Sequence, residues 1–259
     1  MIDIHCHILP GIDDGSKDLD ETIKMCKIAV SEGIHHIIAT PHYIQYHDYK
    51  TRDELIPLLA MVNERLKEEQ IELQLSIGHE VYVTPDLVSL VQHQEVATLN
   101  DSRYLLIEFP MNSIPTYIEE LIYELKLIGV TPIIAHPERY REIIENPNSL
   151  IKYIELGALC QSNVGSINGL FGSEIQKTVM ILIKHHMIHF VSTDAHTSSR
   201  RAPLVKEAFS RISEIDENTA DALFKRNPMN VYENLDIETK TPVLIEKQSF
   251  IKRFFSRKG

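Results

Sequence analysis

The chain has 259 residues, of which 43% are hydrophobic and 24% charged, and its formal net charge is −11. This length and composition are typical of a soluble globular protein with one large hydrophobic core. The acidic charge argues against broad nucleic-acid binding, which favours a basic surface. It argues less strongly against a small anionic substrate, because bound cations can reverse the local field.

The three cysteines, Cys6, Cys26 and Cys160, are odd in number and have no paired spacing. This pattern argues against a disulfide framework and a thiolate zinc site, and it fits a reducing compartment. The N-terminal MIDIHCH lacks the pattern of a signal peptide, and no run of about 18 apolar residues predicts a membrane span. We therefore expect a cytoplasmic protein.

Short apolar runs alternate along the chain with longer stretches of helical periodicity. Seven runs predict strands, and several of them are too uniformly apolar for half-exposed antiparallel strands, as expected when helices cover them. The seven runs occupy residues 2–5, 34–40, 73–78, 104–108, 131–135, 158–162 and 188–192.

The segments between these runs predict helices. Apolar residues recur at helical spacing from Leu19 to Val30, and Gly33 follows as a stop. Thr116 and Glu119 form a capping-box pattern ahead of a second apolar stripe. Further helices are predicted at residues 52–69, 137–145, 148–156, 173–185 and 202–215. Strands that alternate with helices in this way indicate an α/β protein, a parallel barrel of βα units in one domain.

Imidazoles and carboxylates stand at or just after the carboxyl ends of six of the seven predicted strands. They are His5, His7, His42, Glu80, Glu108, His136, Asp194 and His196. The carboxyl ends of barrel strands meet at one face, so we expect these side chains to converge. Without bound cations they would repel one another or stay unsatisfied, which predicts a site for divalent metal ions.

The HxH motif of the first strand places two imidazoles side by side. Alternation along a strand points His5 and His7 to the same side. Paired imidazoles suit zinc, iron or manganese, and carboxylates broaden the choice toward harder ions. Glu80 and Glu108 each have two oxygens with which to bridge ions.

Other polar residues near these strand ends allow more than one interpretation. Asp13 or Asp14 offers a further carboxylate in the first loop. Gln161 and Asn163 either line the same face or serve packing and capping roles. His79 is expected to face away from the site and to be structural.

Two arginine positions suggest phosphate binding. Arg139 lies at a predicted helix start, where a cation opposes the helix dipole. It either pairs with a neighbouring acid or clamps a phosphate, because a guanidinium matches phosphate oxygens with two parallel hydrogen bonds. Arg200 and Arg201, after the last strand, offer the same role.

Adjacent divalent ions and arginines suit the hydrolysis of a phosphoester. The sequence excludes a cysteine-phosphatase mechanism, because the residues six positions after the three cysteines are Ile12, Glu32 and Ser166 rather than arginine. A G-x-S-x-G elbow and a Walker loop are also absent from the sequence.

The order of these motifs resembles the PHP (polymerase and histidinol phosphatase) superfamily. It is more similar to the manganese-dependent protein-tyrosine phosphatases from capsule and exopolysaccharide operons of Gram-positive bacteria. The resemblance covers residues 1–234. It is carried by the HxH start, Asp14-Gly15, TPH ending at His42, GHE ending at Glu80, IEF around Glu108, AHPER from Ala135, and TDAH ending at His196.

The resemblance implies a distorted (β/α)7 TIM-like barrel, the PHP fold, over residues 1–240, followed by a basic, aromatic tail at 241–259. It also implies up to three manganese ions, with iron, cobalt or zinc as alternatives. By motif, the three ligand sets are His5, His7, Glu80 and Asp194; Glu80, Glu108 and His136; and Asp14, His42 and His196.

The same resemblance implies a protein-tyrosine phosphatase in which Arg139 and Arg201 bind the phosphate. A metal-bridging hydroxide would attack phosphorus, and His42 or Asp194 would assist the leaving group. The implied partner is a membrane-associated bacterial tyrosine kinase that regulates capsule or exopolysaccharide synthesis. The end of the tail, residues 247–259, carries five basic residues and no acidic ones. It is either a frayed end or a weak contact with an anionic membrane or an acidic partner.

Four other functions remain open at this point. One is a PHP phosphatase that acts on histidinol phosphate, and another is an amidohydrolase-type metal hydrolase, which also begins with HxH. Amidohydrolases usually add a carboxylated lysine in mid-barrel, where this chain has Glu80 and Glu108. A barrel that only binds partners and a PHP nuclease fit less well, because all expected ligands are present and the chain is acidic.

Overall fold

A computed structural model describes residues 1–246 of the chain, and residues 247–259, with the predicted end of the tail, lie outside them. The described residues form nine strands. They are β1 Ile2–Cys6, β2 His36–Ala39, β3 His42–Tyr43, β4 Gln74–Ile77, β5 Glu80–Tyr82, β6 Tyr104–Glu108, β7 Thr131–Ala135, β8 Leu159–Asn163 and β9 Phe190–Ser192.

All paired strands run parallel, in two sheets of order β1-β2-β4 and β3-β5-β6-β7-β8-β9. The predicted α/β fold with parallel strands is therefore confirmed. The strands predicted at 34–40 and 73–78 end early, and two short strands, β3 and β5, follow them after breaks at Pro41 and Gly78. Proline lacks the N–H that would continue the ladder.

The first strand also meets the chain that follows the last strand. The backbone N–H of Asp194 donates to the carbonyl of His5, and that of His7 donates to Ala195, both at 2.8 Å. A compact cluster of buried side chains then joins strands from both sheets. It includes Ile4, Ile38, Leu106, Ile133 and Phe190.

Helices pack on the outer side of the strands through their apolar faces. They are α1 Leu19–Ser31, α2 Arg52–Glu68, α3 Leu87–Gln92, α4 Ile118–Leu127, α5 Arg141–Glu145, α6 Ile151–Glu155, α7 Val164–Ile167, α8 Ser173–Lys184, α9 Lys206–Ser213, α10 Glu217–Asp221 and α11 Asn227–Tyr232. Within residues 1–246, no helix combines the length and apolar character needed to cross a membrane.

Three predicted helices differ from the observed ones. The helix predicted at 202–215 begins only at Lys206, because Pro203 precedes it and the Glu32 carboxylate accepts the N–H groups of Val205 and Lys206 at 3.0 and 2.9 Å. The helices predicted at 137–145 and 148–156 each begin as a 3-10 turn, at Pro137–Arg139 and Pro147–Leu150.

The predicted capping box of Thr116 and Glu119 is wrong. Helix α4 begins at Ile118 with Tyr117 as its N-cap, and no side chain caps it. The Ile118 N–H instead donates to the carbonyl of Pro115 at 3.3 Å, so a backbone turn replaces the side-chain cap.

Residues 235–246, here called the C-terminal strap, run across the amino ends of the strands. The Tyr104 hydroxyl at the start of β6 donates to the Leu235 carbonyl at 2.6 Å. Further along the strap, the Val243 N–H donates to the backbone carbonyl of His185 at 2.9 Å. The Asn148 side chain forms two hydrogen bonds with the backbone of Ile245. The strap thus covers the end of the fold that lies away from the predicted metal ligands.

Candidate metal centre

The predicted metal ligands converge at the carboxyl ends of the strands. Three groups of side chains each offer ligand atoms that lie within 4.8 Å of one another. The groups are His7, Asp14, His42 and His196; His5, His7 and Glu80; and His42, Glu80 and Glu108.

Glu80 lies at the middle of this arrangement and is 1% exposed. Its Oε2 atom is 3.3 Å from His5 Nε2, 3.2 Å from His7 Nε2 and 3.1 Å from His42 Nδ1. Its Oε1 atom is 2.8 Å from His136 Nε2. Burial alone would raise the pKa of Glu80, but the His5 imidazole and the hydrogen bonds from neighbouring histidines hold that pKa well below its ordinary value.

Glu108 behaves differently from Glu80, although the two carboxylates are neighbours. Burial, followed by the charge of Glu80, raises the pKa of Glu108 to about 8. Its oxygens lie 3.6 Å from His136 Nε2 and 3.9 Å from His42 Nδ1. Cations between these groups would remove the repulsion and favour the charged carboxylate.

Asp194 connects the metal-ligand groups to the predicted phosphate-binding arginines. Its Oδ1 atom lies 3.5 Å from the Nε2 atoms of His5 and His7. Its Oδ2 atom lies 2.8 Å from Arg201 and 3.4 Å from Arg139. Burial would raise the pKa of Asp194, but His5 and Arg201 outweigh burial and lower it.

Two of the predicted ligands have left-handed backbone conformations. The φ angles are 33° at His136 and 50° at Asp194, both directly after strands or within two residues of a strand end. Such conformations are costly for residues with side chains and cluster at functional sites. Here they turn both side chains toward the cluster.

The two adjacent aspartates of the first loop have different places. The Asp13 Oδ2 atom lies 2.8 Å from His7 Nδ1 and accepts the His42 N–H at 3.1 Å, so Asp13 stands behind the imidazoles. The Asp14 Oδ1 atom faces His196 Nε2 at 3.3 Å and His42 Nε2 at 3.5 Å. Of the two, only Asp14 joins a group of potential ligands.

The two polar residues of β8 also lie behind the cluster. Gln161 Oε1 is 2.8 Å from His5 Nδ1, which leaves His5 Nε2 to face the centre. Asn163 Nδ2 donates to Asp194 Oδ2 at 2.6 Å. Such partners orient metal ligands and fix their tautomers. Glu138, which was not predicted as a site residue, has a buried carboxylate that accepts the Asn163 N–H at 2.9 Å.

His79, the neighbour of Glu80, is structural, as predicted. Its Nδ1 atom accepts the Ala97 N–H at 2.8 Å, and its Nε2 atom lies 3.0 Å from the Lys50 carbonyl. Burial lowers the pKa of His79 to about 4, so the imidazole is neutral at pH 7.

A second observation supports the binding of divalent cations by these residues. The Nδ1 atom of His42 is buried, yet it makes no hydrogen bond within the described part of the chain. A buried nitrogen without a partner is costly unless another species completes it. His42 Nδ1 lies 3.1 Å from an oxygen of Glu80 without the alignment of a hydrogen bond, among imidazoles and carboxylates of the kind that divalent cations bind.

The two arginines lie beside the cluster and remain partly exposed, at 25% for Arg139 and 26% for Arg201. Arg201 rather than the exposed Arg200 reaches the site. The buried Nε of Arg201 has no hydrogen-bond partner among residues 1–246. This N–H group can donate to an anion.

Comparison with known proteins identifies the family of this chain. Residues 1–233 match the family described as "Capsular polysaccharide synthesis, CpsB/CapC". The chain belongs to the CpsB/CapC family. This confirms the sequence-based assignment to the capsule-type phosphatase branch.

Individual relatives of this family cover most of the chain. Tyrosine-protein phosphatase YwqE of Bacillus subtilis (strain 168) is 42% identical over 80% of this chain and 82% of its own length. The putative tyrosine-protein phosphatase CapC of Staphylococcus aureus is 38% identical over 81% and 82%.

A solved structure is also similar over nearly the whole chain. It comes from a study of YwqE from Bacillus subtilis and CpsB from Streptococcus pneumoniae, described as unique metal-dependent tyrosine phosphatases. It superposes with a TM-score of 0.92 at 36% identity and covers 95% of this chain and 100% of its own.

Proposed function

We propose that the protein is a metal-dependent phosphatase that hydrolyses phosphotyrosine in proteins. The observation that carries the proposal is the position of Glu80, whose carboxylate faces four imidazoles beside the arginine-bound Asp194. The names of its relatives support the same activity.

We further propose that the strands form a distorted (β/α)7 barrel. In support, β3 and β5 closely follow β2 and β4 in sequence and pair with each other in parallel as β2 and β4 do, so nine short strands correspond to seven longer ones. The hydrogen bonds from His7 and Asp194 join the first strand to the last. The apolar cluster inside the strands then corresponds to the filled interior of such a barrel.

Within this barrel we assign the metal ligands as three sets, of which the first two share Glu80. They are His5, His7, Glu80 and Asp194; Glu80, Glu108 and His136; and Asp14, His42 and His196. The donor set of imidazoles and carboxylates suits manganese, and also iron, cobalt or zinc. Bound ions of this kind supply a water of lowered pKa and neutralise charge on phosphate oxygens.

The chain's own residues then have distinct tasks. We assign Arg139 and Arg201 to the equatorial phosphate oxygens, because both reach the cluster and keep free N–H donors. A tyrosine leaving group has a pKa of about 10 and needs little protonation. Of the two candidate proton donors, His42 is 18% exposed whereas Asp194 is 2% exposed and paired with the arginines. We therefore assign His42 to the leaving group through its Nδ1 atom, because its Nε2 atom faces Asp14 in the third ligand set.

The partner we propose is a tyrosine-phosphorylated kinase that regulates capsular or exopolysaccharide synthesis. The capsule-related description of the family supports this choice.

The predicted weak membrane contact involves residues 247–259, which lie outside the described residues. Unchanged kinase dephosphorylation and membrane recovery after deletion of these residues would exclude that contact.

The experiment that tests the activity compares three substrates with metal-loaded protein. We expect manganese-dependent phosphate release from a phosphotyrosine peptide, little release from a phosphoserine peptide or histidinol phosphate, and none from the His136→Ala variant. Release from histidinol phosphate alone would keep the metal centre and change the substrate. No release from any substrate, with metal bound, would contradict a phosphatase.

A further inference from the structure

The aromatic side chain of Phe171 lies beside both arginines of the proposed phosphate site. The Cζ atom of Arg139 lies 5.0 Å from the centre of the Phe171 ring, and that of Arg201 lies 6.0 Å from the same centre. Both guanidinium groups also meet one oxygen of Asp194. Two like charges therefore share one carboxylate oxygen and one ring.

A hydrogen-bonded turn between α7 and α8 holds this ring. The Gly172 N–H donates to the Gly169 carbonyl at 3.1 Å, and both glycines have positive φ angles, of 100° and 80°. Phe171 occupies the turn that they close, and its side chain is only partly buried. The ring is thus carried by a short, defined connection directly after α7.

Gly165 in α7 gives the ring its space. A Cβ atom added at Gly165 would lie only 2.9 Å from Cε2 and 3.3 Å from Cζ of Phe171. Glycine forms helices less readily than alanine, so its presence within α7 has a packing reason. That reason is the close approach of the Phe171 ring.

We propose that Phe171 is a positioning residue that holds Arg139 and Arg201 beside Asp194, in the orientation in which they receive the substrate phosphate. The negative face of an aromatic ring attracts guanidinium groups. This attraction uses none of their N–H donors, which therefore stay available for phosphate oxygens.

The need for the ring follows from the charges around it. Asp194 is the carboxylate that both arginines share, and the proposed function also assigns it to a metal ion. A carboxylate divided between a cation and two guanidinium groups offsets their mutual repulsion only in part. Within residues 1–246, no second acidic side chain reaches both arginines. The Phe171 ring therefore adds an attraction for the two guanidinium groups that no other carboxylate provides.

A cavity lies beside the ring, on the side of Arg201. It has a volume of about 280 Å³, and Phe171, Asp194 and Arg201 are among its lining residues. This inference rests on the proposed function, because it assumes that the two arginines bind phosphate.

The test uses the full-length, manganese-loaded protein with a phosphotyrosine peptide as substrate and inorganic phosphate as inhibitor. We expect Phe171→Leu, which keeps apolar volume but lacks a π face, to raise KM and the inhibition constant of phosphate about three- to tenfold. The kcat value should change less. Phe171→Tyr, which keeps the ring, should behave like the wild type.

Two further variants separate positioning from general damage. Gly165→Ala keeps Phe171 but pushes its ring aside, so we expect a weaker rise in the phosphate inhibition constant. Phe209→Leu on α9 is the matched control, because the Phe209 ring also faces a cation, Lys225 at 4.6 Å, but lies outside the site. It should leave both constants unchanged.

Equal behaviour of the Leu and Tyr variants at position 171 would overturn the inference, because only the ring distinguishes them in this argument. If Phe171→Leu does not fold, an unchanged phosphate inhibition constant in Gly165→Ala would overturn it. One combination of results would reject this inference alone. In it, the wild type hydrolyses phosphotyrosine, Arg139→Ala loses that activity, and Phe171→Leu keeps unchanged constants. A wild type without phosphotyrosine hydrolysis would reject the proposed function itself.

Discussion

Adjacent residues of the same type can have different tasks, and Asp13 and Asp14 illustrate this at the scale of single side chains. Asp13 hydrogen-bonds the outer nitrogen of His7 and the backbone of Gly15 and His42. Asp14 presents its carboxylate to His42 and His196 instead. The first residue orients ligands, and the second is proposed to be one.

Substitution of these two aspartates should therefore have distinguishable effects on metal binding. We expect Asp14→Ala to bind one manganese ion fewer, because a ligand of the third set is lost. Asp13→Asn should keep the full number of ions but bind them about 10- to 100-fold more weakly, as is common when a partner behind a ligand is changed. Elemental analysis and calorimetric titration measure both effects. The same stoichiometry in both variants would contradict these assignments.

His189 makes the stability of the fold depend on pH, independently of the metal centre. Its Nδ1 atom accepts the Cys160 N–H at 3.0 Å, and burial lowers the pKa of His189 to about 4. The unfolded chain, with an ordinary histidine pKa of about 6.5, takes up a proton as the pH falls and the folded chain does not. Stability contributed by neutral His189 is therefore complete above pH 6.5 and is lost toward pH 4.

We expect this residue to account for a loss of about 2 kcal/mol in the free energy of unfolding between pH 7 and pH 5. Urea unfolding of metal-free protein at the two pH values measures the loss. His189→Gln should be less stable at pH 7 but should lose about 2 kcal/mol less on acidification. An identical pH dependence in both proteins would contradict the prediction.

At the scale of secondary structure, the loop after β1 must approach the strand very closely. A Cβ atom at Gly15 would lie 2.2 Å from the His7 carbonyl oxygen and 2.5 Å from its Cβ atom. These atoms belong to the backbone and root of a proposed metal ligand and cannot move aside at little cost. Only glycine lets this loop carry its aspartates to the cluster.

Gly15→Ala should therefore lower phosphatase activity on the order of a hundredfold, because small displacements of reacting groups have effects of that size. Gly129→Ala is the matched control. The backbone of Gly129 is also unfavourable for other residues, because its φ angle is 80°. A Cβ atom added there would have no other atom within 4 Å. We expect that variant to lose about 1 kcal/mol of stability and to keep its activity. Similar activities of the two variants would contradict the argument.

The sequence predicts the elements well where the signal is local. Uniform apolar runs that stop at His5, Glu108 or His136 indicate both the strands and the side chains at their ends. The start of α9 is not predictable in this way, because its cap comes from Glu32, distant in sequence. Phe171 is likewise missed, since nothing local indicates that a ring in a turn reaches two arginines.

At the scale of the whole molecule, the described residues place the metal ligands and the C-terminal strap at opposite ends of the strands. The strap is tied to the body by Tyr104, Asn148 and His185. Its hydrogen bonds begin directly after residues 1–233, which match the family. Stability and activity are therefore expected to respond separately to changes at the two ends.

Truncation tests this separation. A chain that ends at Glu246 keeps every contact described here and is the reference for the free energy of unfolding. A chain that ends at Asn234 loses the four hydrogen bonds of the strap described above and should be less stable by roughly 4 kcal/mol, since each net hydrogen bond contributes about 1 kcal/mol. Its kcat at a temperature where it remains folded should match the wild type. Equal stability of the two truncated chains would show that the strap contributes nothing.

Glu80 belongs to two of the three groups of potential ligands and to two of the three assigned ligand sets. An ion that settles in one group therefore arranges part of the next, and the departure of one loosens its neighbours. Occupancy of the centre should then rise cooperatively with the concentration of free metal, instead of increasing site by site. The enzyme would respond to a threshold in metal supply, and dephosphorylation by this protein would follow the metal status of the cell that contains it.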